Sequence, residues 1–180
     1  KMPHHKLIST SKEDRLLHTR GQSLSDWFSM HCGAIDCFTD GVAFPRSNDE
    51  VKELLLFASE NNINVIPYGG GTSVVGHINP ERNGKLNLTI SMANMTRLLD
   101  LDPISLLARF QPGANGPQIE NQLNEEGFTL GHFPQSWEYS TLGGWIASRS
   151  SGQQSLKYGR IENLFAGCLL YTSPSPRDPT

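Results

Sequence analysis

The sequence is short of cysteine, of long apolar runs and of excess positive charge, and each shortage excludes something. Three cysteines stand in 180 residues, at Cys32, Cys37 and Cys168. Cys32 and Cys37 have no matching second pair, so no zinc site is expected. They read as reduced thiols of a cytoplasmic protein. No apolar stretch approaches the roughly 18 residues of a membrane-spanning helix; the longest lies around Leu54–Ala58. Lys1–Leu7 lacks the apolar core of a signal peptide. Lys and Arg number 15 against 18 Asp and Glu, a net charge of −3, which gives no nucleic-acid-binding surface. Long-period repeats are also lacking.

What is present fits a folded domain with a short lead-in, at 37% hydrophobic residues and a mean hydropathy of −0.38. Residues 1–40 read as a polar N-terminal lead-in, with His4 and His5 solvated and a short helix over Ser23–Met30 turning Leu24, Trp27 and Phe28 inward. Ser47 and Glu50 form a capping-box pattern ahead of Val51, Leu54, Leu55 and Ala58 at helical spacing, ending near Asn61 or Asn62. Ile63–Pro67 is a short β segment. Lys85–Ser91 alternates Leu86, Leu88 and Ile90 as a strand does, and Ile104–Phe110 reads as another. The intervening Met92–Pro103 is too short for a helical crossover, which predicts that these two strands pair antiparallel. Pro117–Glu126 is a helix with Ile119 and Leu123 inward and Gly127 as its stop. Phe128–Leu130 reads as a strand, and Thr141–Ser148 as a helix or turn. The order predicts a mixed α and β fold. From Cys168 to Thr180 the chain turns proline-rich and aperiodic, and reads as either a foreign tail or a linker. With Lys1 in place of an initiator Met, both ends read as cut.

Ile63–Gly76 (INVIPYGGGTSVVG) delivers a strand to three glycines and two hydroxyl residues. Glycines allow positive φ and remove the Cβ atoms that would hold a phosphate away. Successive N–H groups in such a turn form an anion-binding nest, to which Thr72 and Ser73 can add donors. The Walker pattern fails, because His77 and Ile78 follow Gly76 in place of Lys and Ser/Thr. The G-x-G-x-x-G fingerprint fails at Val74. An ordinary glycine-rich turn remains the alternative at this point. A second stretch, Gly131–Gly152 (GHFPQSWEYSTLGGWIASRSSG), is rich in hydroxyls and carries Gly143-Gly144, which allows close backbone approach. Read plainly, it is a polar loop with Ser140 or Thr141 capping a helix.

These two stretches resemble the vanillyl-alcohol-oxidase-type flavoproteins with an FAD-binding domain of the PCMH type. Pro67-Tyr68-Gly69-Gly70-Gly71-Thr72-Ser73 is similar to that family's P-x-G-G-G-T-S loop. Pro134-Gln135-Ser136-Trp137-Glu138-Tyr139-Ser140-Thr141-Leu142-Gly143-Gly144-Trp145, followed by Ser148-Arg149-Ser150-Ser151-Gly152, looks most like the alkylglycerone-phosphate synthases. Tyr158-Gly159, Ile161–Leu164, His18–Leu24 and Phe44-Pro45 extend the likeness over roughly Leu17–Gly167. Gln135 stands where that family has Asp, and Ser150 where it has Ala.

The resemblance implies a domain of two small α/β subdomains over 41–167, incomplete at its C-terminal side. It implies FAD held non-covalently, since Gly71-Thr72 stands where covalent relatives place a His. Pro67–Ser73 would hold the diphosphate, so that a side chain at Gly70 would intrude on its oxygens. Pro134–Ser140, Thr141, Gly144 and Ala147–Ser150 would line the remainder. His77 is expected to be a surface or packing residue. The implied chemistry is exchange of an acyl group for a fatty alcohol on a dihydroxyacetone-phosphate ester, a small-molecule substrate of lipid phosphate type, in a protein for which a homodimer is admitted. Catalytic groups would lie in a later cap domain, so none is assigned and Arg149 is a cofactor-neighbourhood candidate. The rival readings are an FAD-dependent 2-hydroxy-acid dehydrogenase of the glycolate or D-lactate kind and a non-enzymatic nucleotide-binding module.

Overall fold

The computed structural model describes residues 1–167; the proline-rich Cys168–Thr180 lies outside the described residues. Four short strands, β1 (Ile8–Ser9), β2 (Gly41–Ala43), β3 (Asn64–Tyr68) and β4 (Asn87–Ser91), form a sheet in the order β1-β2-β4-β3. β1 is antiparallel to β2, and β4 is parallel to both β2 and β3. Pro67 is tolerated because β3 is an edge strand, where the missing N–H interrupts no ladder. Residues 69–86 return the chain from β3 to its parallel neighbour β4 without a helix.

Helix α3 (Asn48–Glu60) covers one face of this sheet. Its Leu54 and Ala58 meet Ile63, Leu88 and Ile90 in one apolar cluster. Ser47 caps it, accepting the Glu50 N–H at 3.2 Å. The box closes only halfway, because the Glu50 carboxylate takes the Arg46 N–H at 2.6 Å. The alternation of β4 is real, yet the whole strand is buried. Thr89, level with Val42 and Ile66, looks away from α3 and is covered by the chain around His18 and Thr19. There the Thr89 hydroxyl donates to the His18 carbonyl at 3.5 Å, and Thr19 Oγ1 accepts the Thr39 N–H at 3.1 Å.

Near the N-terminus lie α1 (Lys12–Leu17) and α2 (Leu24–His31). α2 forms where expected but faces the other way. Leu24 and Phe28 are 89% and 71% exposed, Trp27 is exposed, and the one buried residue is Asp26. Bonds to Ser23 and Asn79 draw that carboxylate inward. His5 is likewise not solvated: its imidazole lies 3.3 Å from Glu53 and packs against Phe57.

A second apolar cluster joins α4 (Gly116–Glu125), α5 (Leu142–Ser148) and α7 (Ile161–Leu164), through Ala114, Ile119, Leu123, Trp145 and Ile161; α6 (Ser155–Tyr158) precedes α7. Beside it stands a hairpin of β5 (Leu98–Asp102) and β6 (Leu107–Phe110). β5 falls inside the stretch read as a connector, and β6 starts later than Ile104. The predicted pairing of the Lys85 and Ile104 strands does not form; β6 pairs with β5 instead. Phe128–Leu130 is not a strand, because the Glu120 carboxylate takes the Thr129 hydroxyl and the Leu130 N–H, at 2.7 and 3.1 Å. Two small α/β units with separate apolar clusters match the expected mixed architecture.

Candidate functional site

Strand β3 ends at Tyr68, and the next five residues leave the sheet as an open turn with Gly71 at φ +69°. The N–H groups of Gly69, Gly70, Gly71, Thr72 and Ser73 have no hydrogen-bond acceptor among the described residues. The Thr72 hydroxyl has no partner there either, while Ser73 Oγ lies 3.2 Å from His77 Nδ1. His77 is exposed, as expected, but tied to the loop. Five consecutive donors left unpaired in a turn demand an acceptor from outside, whether water or an anion.

The second stretch meets this loop directly. A Cβ on Gly70 would lie 1.8 Å from the Tyr139 carbonyl oxygen, and one on Gly69 would lie 2.3 Å from Thr141 Oγ1. The glycines therefore serve first to seat the loop on the Tyr139–Ser140 backbone and the Thr141 side chain. What a Gly70 side chain would strike is protein main chain, a nearer obstacle than the phosphate oxygens expected from sequence. Gly71 lies under the Tyr68 hydroxyl in the same way, at 2.2 Å for its added Cβ. Burial pushes the Tyr68 phenol up from its ordinary pKa.

The N-terminus of α5 behaves differently. The Leu142 N–H goes to the Ala114 carbonyl (2.9 Å), Gly143 to Pro112 (2.8 Å), Gly144 to Thr141 Oγ1 (3.4 Å) and Trp145 to the Thr141 carbonyl (2.9 Å). All are satisfied within the protein, so this helix end offers an anion nothing. Gly143 is small because Pro112 packs on it.

Several expected donors are likewise engaged. Ser140 Oγ donates to the Ser136 carbonyl (2.8 Å) and accepts from Trp145 Nε1 (2.6 Å). Ser148 Oγ donates to the Gly144 carbonyl. Ser150 Oγ lies 3.3 Å from Nε2 of buried His132, whose imidazole burial pushes below its ordinary pKa. Arg149 is exposed, adopts the left-handed region at φ 52° and lies 3.9 Å from Glu162; Ala147 is exposed beside it. The side chains of Gln135, Ser136, Glu138 and Tyr139 make no hydrogen bond among the described residues. They line, with Pro134, Trp137, Gln153 and Gln154, an open cleft of about 560 Å³. A smaller hollow of about 390 Å³ lies at Ile146, Arg149, Ile161, Glu162 and Phe165. Neither includes the glycine loop, whose case rests on its unpaired amides.

Sequence reasoning missed Asn115, which caps α4 with a full Asn115–Gln118 box and donates from Nδ2 to the Glu138 carbonyl at 3.1 Å, steadying the cleft wall. The Asn-x-x-Gln spacing was the available signal. No group of three or more His, Cys, Asp or Glu suited to a metal occurs among the described residues. No helix there is long and apolar enough to cross a membrane.

Comparison with known proteins follows the same outline. The family described as FAD binding domain matches residues 39–174. The alkyldihydroxyacetonephosphate synthase of Dictyostelium discoideum is 41% identical over 157 residues, covering 87% of this chain and 26% of the relative. A solved alkyldihydroxyacetonephosphate synthase superposes with a TM-score of 0.84 at 41% identity, over 87% of this chain and 30% of that one. Glycolate oxidase subunit GlcD of Bacillus subtilis (strain 168) is 32% identical over 128 residues, 71% of this chain and 27% of the relative. The chain thus spans about a quarter of the length of the curated relatives it matches.

Proposed function

The chain belongs to the FAD binding domain family, and from that premise we propose that it is the FAD-binding part of an enzyme of the alkyldihydroxyacetonephosphate synthase type. The observation that carries the placement is the row of unpaired N–H groups from Gly69 to Ser73, seated on Tyr139–Thr141. A diphosphate supplies the charge and acceptors that row lacks, and small residues leave room for it. The residues present therefore fit the cofactor.

In this reading the Pro67–Ser73 loop holds the diphosphate through the main-chain donors of Gly69–Ser73 and the Thr72 hydroxyl. Gln135, Ser136, Glu138 and Tyr139 face the rest of the cofactor from the cleft wall. Ser140 and Thr141 hold that wall and the start of α5 in shape, while Gly144, Ala147 and Ser148 lie on α5 and Arg149 and Ser150 follow it, Arg149 in the separate smaller hollow. The bound flavin supplies the chemistry; the chain binds it, orients it and tunes its surroundings. FAD is held non-covalently. The full-length protein would act on a small-molecule lipid phosphate ester, exchanging acyl for alkyl, with its catalytic groups and substrate contacts in polypeptide beyond this chain. The free thiols of Cys32 and Cys37 suit a cytoplasmic setting, and a homodimer is part of the proposal. The synthase is preferred over a glycolate-type oxidation because its relatives share 41% identity against 32%.

Titrating the purified 180-residue chain with FAD tests the cofactor reading. Saturable quenching of flavin fluorescence, with flavin released intact on denaturation, is the expected result. A folded chain that takes up no FAD would overturn it.

A further inference from the structure

We propose that Leu17–Asp26 is a strap that sets the shape of the glycine loop, with Gly21 and Asp26 as positioning residues for the diphosphate; this rests on the cofactor reading above. The strap precedes residue 39, where the family match begins.

It grips the loop at both ends. At the start, the Tyr68 hydroxyl donates to the Leu17 carbonyl at 3.2 Å, and its ring packs 4.8 Å from that of His18. At the far end, the Gln22 N–H donates to the Ser73 carbonyl at 2.6 Å. That approach depends on Gly21, where a Cβ would stand 2.5 Å from the same carbonyl oxygen and 3.3 Å from Ser73 Cβ. Gly21 does not have a positive φ, so space rather than backbone conformation requires it. Because a trans peptide directs its C=O and N–H oppositely, holding the Ser73 carbonyl toward the strap turns the Val74 N–H away from it and fixes the peptide plane at the end of the loop.

The strap is itself braced. Asp26 accepts the Ser23 N–H (3.3 Å) and hydroxyl (2.6 Å), and Asn79 Nδ2 donates to it at 2.7 Å, tying in the chain just past the loop. The Arg20 guanidinium lies 4.0 Å from Asp26 and 2.6 Å from Asp36, with its side chain only 9% exposed. Burial alone would raise the Asp26 carboxyl; the bonds from Ser23 and Asn79 and the Arg20 charge outweigh it and leave the pKa below its ordinary value. This network explains why α2 turns its polar side inward.

The test compares Gly21→Ala, Asp26→Asn and Tyr68→Phe with the exposed control Leu24→Ala in the 180-residue chain. Two readouts are taken well below the thermal midpoint: the apo-chain 1H–15N amide positions of Gly69–Ser73, and the FAD Kd by fluorescence. The expected result is displaced loop amides in the three strap variants, an FAD Kd raised by about tenfold in Gly21→Ala, and a control within about twofold. Unmoved amides with unchanged Kd in Gly21→Ala and Asp26→Asn would overturn the strap. If Gly21→Ala does not fold, Asp26→Asn and Tyr68→Phe decide on the same readouts. If the wild-type chain binds no FAD, the cofactor reading fails, while the apo amide positions still judge the strap.

Discussion

Replacing Gly70 by alanine adds one methyl group at the tightest point of the site. Its φ lies outside the positive region, so alanine meets no conformational penalty there and the cost is steric. The added Cβ would lie 1.8 Å from the Tyr139 oxygen, 2.6 Å from its carbonyl carbon and 3.1 Å from Ser140 Cα, all main chain that no rotamer change can move. To reach the 3.4 Å of an ordinary contact, the two backbones must part by about 1.6 Å. Forced shifts of this kind cost about 1–3 kcal/mol. If the loop moves, the cost falls on its alignment, and FAD affinity drops by about 5- to 150-fold. Fluorescence titration at 25 °C measures this directly. Gly84→Ala is the comparison: Gly84 has φ +82° with nothing within 4 Å, so it carries backbone strain of about 1–2 kcal/mol without touching the seam. It should lose stability and keep its FAD Kd. A Gly70→Ala chain that binds FAD within about twofold of wild type, or no worse than Gly84→Ala, would refute the reasoning.

Two further outcomes follow from buried groups. Ser140→Ala leaves the buried Trp145 Nε1–H without its acceptor, and urea unfolding should show a loss of about 1–3 kcal/mol; an unchanged midpoint would mean that the indole finds another acceptor. Burial lowers the His132 pKa, so the unfolded chain takes up that proton first as pH falls. The stability it supports is complete above its ordinary 6.5 and declines as pH drops from there toward the folded value. Chemical denaturation across pH 7 to 5 should therefore slope less in His132→Asn than in wild type, and equal slopes would count against a neutral buried imidazole.

Local chemistry was readable in the sequence where it acts over a few residues. Ser47 ahead of α3, Gly127 after α4, Thr141 before α5 and the strand-to-glycine junction at Tyr68 all stand where their residue types require. What failed were inferences from hydrophobic periodicity where polar burial or exposure decided the outcome. Asp26 is drawn inward by partners 3 and 53 residues away, which turns α2 over against its apolar pattern. β5 leaves Leu99, Asp100 and Asp102 exposed, so it lacked the buried face that marks a strand. The contacts of Gly70 with Tyr139 and of Tyr68 with Leu17 join distant segments, and no spacing within either segment encodes them.

Parallel neighbours are usually joined by a helix, yet the return from β3 to β4 is made by the glycine loop and the turn after it. One half of that return is moored at Tyr68, Ser73 and Asn79, so a single inserted residue there would throw its amides out of phase with what they face. The other half is tied at its flanks, Asn83 to Asn64 and Glu81 to Asn87, while at Gly84 itself an added Cβ would meet nothing within 4 Å. A change in chain length is borne more easily at that tip than in the half that carries Gly69–Ser73, which is held at three points.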